Sequence, residues 1–287
     1  MSHIKIQLGI LALLLLVGGT GCVSSEDRAG VNESLSIDFE QSPVGKYSER
    51  RLKSEWRGTQ IVCGKKDYVF YKLGITPYPL TIGEEQANNY LSVQIDKGRF
   101  DPIVGAQWST PLAGSDSFYL SYRVQFAGDF DFRRGGKLPG LAGGAANSGG
   151  NIPNGTDGWS ARMMFWENGK LSFYLYYPDQ PGEYGDPLFW RHSDGEIVKA
   201  EAGKWYTIQQ YIQMNDPGQK NGIVKGWLNG ELVCDADTIR FRDTEALKVD
   251  QVFFSVFMGG GDLSWAPGKD QQIWFDDFQA FNSLKKN

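Results

Sequence analysis

Along much of the chain, apolar and polar residues trade places at every second position. The runs are Phe118–Phe126, Trp159–Trp166, Leu171–Tyr177, Trp205–Met214, Ile223–Leu228, Val252–Phe257 and Gln272–Phe278. A period of two puts the apolar set of a strand on one face. Gly, Pro, Asn and Asp punctuate the runs, and no stretch of useful length has the period of an amphipathic helix. Many short strands at this spacing predict an all-β fold, a jelly-roll β-sandwich, with a single domain over 37–287. Residues 134–158 are the exception. They are rich in Gly and Asn, nearly without apolar content, and read as a long functional loop.

The start of the chain follows a different pattern. Lys5 precedes an apolar run, Leu8–Val17, and Gly18, Gly19, Thr20 and Gly21 follow before Cys22. This reads as an export signal over 1–21, too short to favour a membrane span. The junction resembles a bacterial lipobox. Lipid on Cys22 would anchor the protein to the cell envelope without a spanning helix; cleavage without lipidation would leave it secreted. Residues 22–36 are polar and read as a flexible tether. In an oxidising compartment Cys63 and Cys234 either pair or stay as buried thiols.

Composition narrows the chemistry. The 287 residues are 41% hydrophobic and 14% aromatic, ample for a large core. Net charge is −5 and no Lys/Arg block stands out, so nucleic acid is not an expected partner. Only two His and three Cys are present, and His3 and Cys22 fall at the signal. A His or Cys metal cluster is thereby excluded, and no metal or organic cofactor is expected. A monomer is expected.

One hairpin can be registered from its sequence. Trp159, Ala161, Met163 and Phe165 alternate with Ser160, Arg162, Met164 and Trp166; Phe173, Leu175 and Tyr177 alternate with Ser172, Tyr174 and Tyr176. Both apolar sets face the core only if Glu167-Asn168-Gly169 is a three-residue loop with Gly169 left-handed. Arg162 then lies opposite Tyr174, and Ser160 opposite Tyr176, on the face away from the core. A two-residue turn would set Arg162 against Leu175 and break both faces.

Arg forks onto carboxylates, and Tyr hydroxyls donate or accept protons. With Lys137 nearby, this set suits proton abstraction beside a carboxylate. In a uronic-acid polymer the C5 proton is acidic once the C6 carboxylate is neutralised, and elimination then breaks the bond at C4. The bland alternative is a cross-strand cation–π pair or a sugar-stacking surface.

The strings Gly135-Gly136-Lys137-Leu138-Pro139-Gly140-Leu141, Ser160-Ala161-Arg162-Met163-Met164-Phe165-Trp166 and Tyr174-Leu175-Tyr176 resemble polysaccharide lyase family 14. Weaker likeness continues through Gly226-Trp227-Leu228-Asn229-Gly230 and Gly259-Gly260-Gly261-Asp262. The resemblance implies a jelly roll with a concave cleft and lyase action on alginate or glucuronan. It implies Lys137, Ser160, Arg162, Tyr174 and Tyr176 as the catalytic set, without saying which Tyr is base and which acid. The partner implied is an anionic polysaccharide.

Further candidates for substrate binding are Gln107, Arg123 and Tyr211. Asp262 and Trp265 sit in a Gly-rich loop that either closes over the sugar chain or simply turns. His192 reads as a solvated loop residue, and Asp276-Asp277 as two acids on opposite faces of a strand. A glycoside hydrolase would need paired cleft carboxylates, which the spacing does not supply. A non-catalytic surface lipoprotein that captures polymer is the rival from another class.

Overall fold

The structure, a computed structural model, describes residues 33–57, 60–61, 79–100 and 105–282. Its strands are β1 (Ser34–Ile37), β2 (Gly45–Lys46), β3 (Gln60–Ile61), β4 (Leu80–Glu85), β5 (Asn88–Ile95), β6 (Ala106–Ser115), β7 (Ser117–Phe126) and β8 (Gly135–Gly144). They continue as β9 (Gly158–Trp166), β10 (Leu171–Tyr176), β11 (Asp186–Phe189), β12 (Trp205–Gln213), β13 (Gly222–Leu228), β14 (Glu231–Ile239), β15 (Val249–Met258) and β16 (Gln271–Phe281). One α-helix, α1 (Glu49–Glu55), is capped by Ser48, whose hydroxyl accepts from the Arg51 N–H.

The strands form two antiparallel sheets. The nine-stranded sheet runs β14-β13-β12-β7-β16-β5-β4-β2, with β1 added against β16. The seven-stranded sheet runs β11-β10-β9-β8-β15-β6-β3. Every strand read from alternation is present, to within a few residues at its ends. Between the sheets lies an aromatic core: Trp56 from the end of α1 meets Trp108 of β6, Phe254 of β15 and Phe278 of β16 edge-on. Polar bonds also cross between the layers, and the Tyr122 hydroxyl of β7 donates to the Pro139 carbonyl of β8 at 3.0 Å. Gln210 of β12, 1% exposed, accepts from the Leu141 N–H at 2.9 Å and donates to the Ala161 carbonyl at 2.7 Å.

Several expectations are corrected. Residues 135–144, read as loop, are a strand in the middle of the seven-stranded sheet. Its glycines are a packing requirement: a Cβ at Gly140 would lie 2.2 Å from the Ala161 carbonyl oxygen, and one at Gly143 2.0 Å from that of Lys248. β1 begins at Ser34, so the end of the stretch read as tether is paired strand. Asp276 and Asp277 do not face opposite ways. A register shift after Asp276, with Asp277 at φ 50°, turns both carboxylates toward Arg123. The signal, Cys22 and Cys63 lie outside the described residues. Cys234 is partly buried, and desolvation pushes its thiol up to about 12.

Candidate active site

The hairpin of β9 and β10 sets the site. Arg162 pairs with Tyr174 and Ser160 with Tyr176, the register deduced from the hydrophobic pattern. Gly169 is left-handed at φ 74°, and so is Asn168 at φ 61°. Lys137 of β8 pairs with Met164, which puts its side chain on the same outward face as Arg162. From the other neighbour of β8, Phe257 pairs with Lys137.

This face is outward but not open. Loops cover it, leaving a cavity of about 450 Å³ lined by Gln107, Lys137, Arg162, Met164, Trp166, Tyr174, Tyr176, Tyr184, Phe257 and Trp265, with glycine backbone at 149 and 259–261. The covering loops are tied to the site. Gly150 donates its N–H to the Tyr176 hydroxyl at 3.3 Å. Gly185 lies on both tyrosine rings, where a Cβ would come within 2.7 Å of each. The Trp265 indole rests on Gly260, where a Cβ would be 2.0 Å from the ring, and Arg134 stacks on it at 4.8 Å.

Arg162 is 3% exposed and has no carboxylate partner among the described residues. One guanidinium nitrogen donates to the Ser255 hydroxyl at 3.1 Å, which in turn donates to Gln107 at 3.1 Å; Nε has no partner. Burial lowers this guanidinium to about 10, with the two tyrosines opposing the shift, so it remains charged at neutral pH. Lys137 is 7% exposed. Its Nζ lies 3.0 Å from the Met164 sulfur and 4.1 Å from the centre of the Tyr174 ring. Desolvation, then repulsion from Arg162, holds the amine well below the usual lysine range. Burial, then the neighbouring Tyr176, pushes the Tyr174 hydroxyl up, against a smaller opposing effect of Arg162. The site thus sets a fixed cation beside an amine that prefers to be neutral and a phenol that prefers to keep its proton.

Lys137, Arg162, Tyr174, Tyr176 and Gln107 meet at the cavity. Ser160 does not line it: its hydroxyl donates to the Asn147 carbonyl at 2.6 Å and anchors the loop above. Arg123 and Tyr211 are elsewhere. They lie outward on β7 and β12 of the nine-stranded sheet, on the opposite side of the sandwich. Alternation shows only that they face away from the core, and both outer faces of a sandwich satisfy that. Asp262 caps the turn at Ser264, and His192 is exposed beside Glu231. Met164 and Trp166 were legible as neighbours of Arg162 on its strand face; Ser255, Tyr184 and Phe257 carried no such signal. Among the described residues no three His, Cys, Asp or Glu side chains converge to hold a metal.

Polysaccharide lyase 14 matches the sequence over residues 84–278. The chain belongs to polysaccharide lyase family 14. It is placed thereby among the polysaccharide lyases. Exolysin of Paramecium bursaria Chlorella virus 1 is 27% identical over 181 residues; the match takes in 54% of this chain and only 27% of that protein. The family 14 chain shares its jelly-roll sandwich with solved alginate lyases. Aly36B superposes with a TM-score of 0.74 at 24% identity, over 88% of this chain and 98% of that one. The alginate lyase of Aplysia kurodai gives 0.69 at 24% identity, over 87% and 98%. That of a Chlorella virus gives 0.63 at 20% identity, over 84% and 100%.

Proposed function

We propose that this family 14 member cleaves a 1,4-linked polyuronate, either mannuronate-rich alginate or a glucuronan, by β-elimination. The observation that carries the reading is Arg162: a buried charge with no carboxylate of its own, lining a cavity. Such a charge is costly unless a ligand supplies the anion. The substrate of the solved relatives, alginate, carries one carboxylate on every sugar.

In this mechanism the C6 carboxylate docks on Arg162, which acidifies the proton at C5. Lys137, whose neutral form burial favours, removes that proton as the free amine. The electron pair of the C5–H bond forms the C4=C5 double bond, the C4–O4 bond breaks, and O4 takes the proton of Tyr174. Tyr176, fixed by Gly150, completes the hydroxyl pair at the leaving group. Gln107 and Ser255 hold the guanidinium in place, and Trp166 and Trp265 form walls for neighbouring sugars. The signal pattern before Cys22 supports export with a lipid on that residue.

The test is ultraviolet absorbance on polymannuronate, polyguluronate, glucuronan and hyaluronan, with a chelator present. The expected result is growth of the conjugated-uronate band on polymannuronate or glucuronan, lost in Tyr174→Phe. Polymer binding with no growth on any of the four would make the protein a capture lipoprotein instead.

A further inference from the structure

The two candidates that fell outside the cleft sit in aromatic company. On the outer face of the nine-stranded sheet, Arg123 stacks over Trp205 at 4.8 Å, and Tyr90 stacks on Trp274 at 4.7 Å with its ring 6.0 Å from Trp205. A second cavity, about 360 Å³, opens among Tyr90, Trp205, Arg123, Glu85, Gln86 and Asn88. Aromatic walls with a few planar polar groups suit a sugar ring: C–H faces lie on the indole or phenol, and hydroxyls meet amides and carboxylates.

The charges differ from those of the cleft. Arg123 lies 3.6 Å from Asp276 and 3.5 Å from Asp277, so its charge is balanced within the protein. These contacts are longer than hydrogen bonds, and among the described residues the guanidinium makes none, which leaves its N–H groups for a ligand oxygen. Exposed Glu85 adds negative charge at the rim. A carboxylate-bearing sugar finds no unpaired cation here, whereas an uncharged one finds donors and acceptors.

The backbone adds an independent observation. β4 and β5 are joined by the two-residue turn Gln86-Ala87, with φ of 53° and 62°. A turn with two left-handed residues favours Asn-Gly, and the turn from β13 to β14 is Asn229-Gly230. Keeping Gln86 and Ala87 in strained geometry sacrifices stability at the very turn that puts Gln86 on the cavity wall. Strain of this kind collects at ligand sites.

We propose that this second cavity binds an uncharged pyranose unit of a polysaccharide, independently of the catalytic cleft. Calorimetric titration of the full chain with cellohexaose, laminarihexaose, mannohexaose and xylohexaose tests it, with polymannuronate titrated into Tyr174→Phe as the charged arm. At least one neutral oligosaccharide is expected to bind. Trp205→Ala should weaken that binding by about tenfold or more, with the rate on polyuronate unchanged. Gln86→Asn/Ala87→Gly relaxes the turn, so it should raise the melting temperature and weaken binding together. That variant keeps the test decisive should Trp205→Ala fold poorly. The proposal is overturned if no neutral oligosaccharide binds, if binding is indifferent to both changes, or if polymannuronate binding is the one lost in Trp205→Ala.

Discussion

At the residue scale, Lys137 and Arg162 divide the labour of two cations that burial treats differently. A guanidinium stays charged even when desolvated; an amine gives up its proton. Lys137 has its folded-state pKa depressed. The folded protein therefore binds fewer protons than the unfolded chain between that lowered value and the ordinary lysine value, and across this window stability rises with pH. As pH falls across this window stability falls with it and levels off at the lowered value, where the amine is protonated and can no longer act as a base. Lys137→Arg keeps a cation but no base, and should cost about 10²–10⁴ in turnover; wild-type turnover in that variant would rule out the base role. Lys137→Met should abolish turnover while raising the melting temperature, by an amount that grows as pH falls across that window. The types and spacing of Arg162 and the tyrosines were legible because each lies on a strand face, whereas Lys137 stood out only by its Gly-Gly-Lys-Leu-Pro-Gly string, its strand having the look of a loop. The sheet to which Arg123 and Tyr211 belong was not, since the two outer faces look alike in sequence.

At the scale of elements, the β9–β10 hairpin shows how far pattern reasoning reaches. Two apolar faces and one Gly in the right place fixed the register, and the register fixed which side chains share the site. β8 marks the limit. Its sequence has few apolar residues because its neighbours are too close for side chains, a fact of tertiary packing that resembles a loop in sequence. The hairpin's dependence on its loop is testable. At Gly169, φ is 74° and a Cβ would lie 2.0 Å from the Ala200 carbonyl oxygen. Gly169→Ala should cost about 2 kcal/mol or more, the left-handed penalty plus the clash. Asn168→Ala, with φ alone against it, should cost about 1 kcal/mol. Denaturation midpoints should rank them in that order, with kcat falling further for Gly169→Ala. Equal midpoints would mean that the loop does not hold the register.

At the scale of the whole molecule, the cleft sheet is held to the other by polar bonds from Tyr122 and Gln210 as well as by apolar packing. β8 and β9 lose register between Leu138 and Gly140, where Pro139 has no N–H to give. Just past that break, Gln210 reaches across from β12 and takes up the Leu141 N–H and the Ala161 carbonyl. Ala161 precedes Arg162 in the chain, so the back sheet steadies the backbone from which the Arg162 guanidinium projects into the cavity. Gln210→Leu nearly preserves volume but strands a buried donor and a buried acceptor, at about 1–3 kcal/mol each. Gln210→Glu keeps the acceptor when ionised, at the expense of burying a charge. Both should unfold at lower denaturant than wild type. If the amide also positions Arg162, Gln210→Leu should lose kcat/KM at temperatures where it is still fully folded. Unchanged kinetics there, with lowered stability, would confine Gln210 to holding the layers together and leave Ser255 and Gln107 as the positioning groups for Arg162.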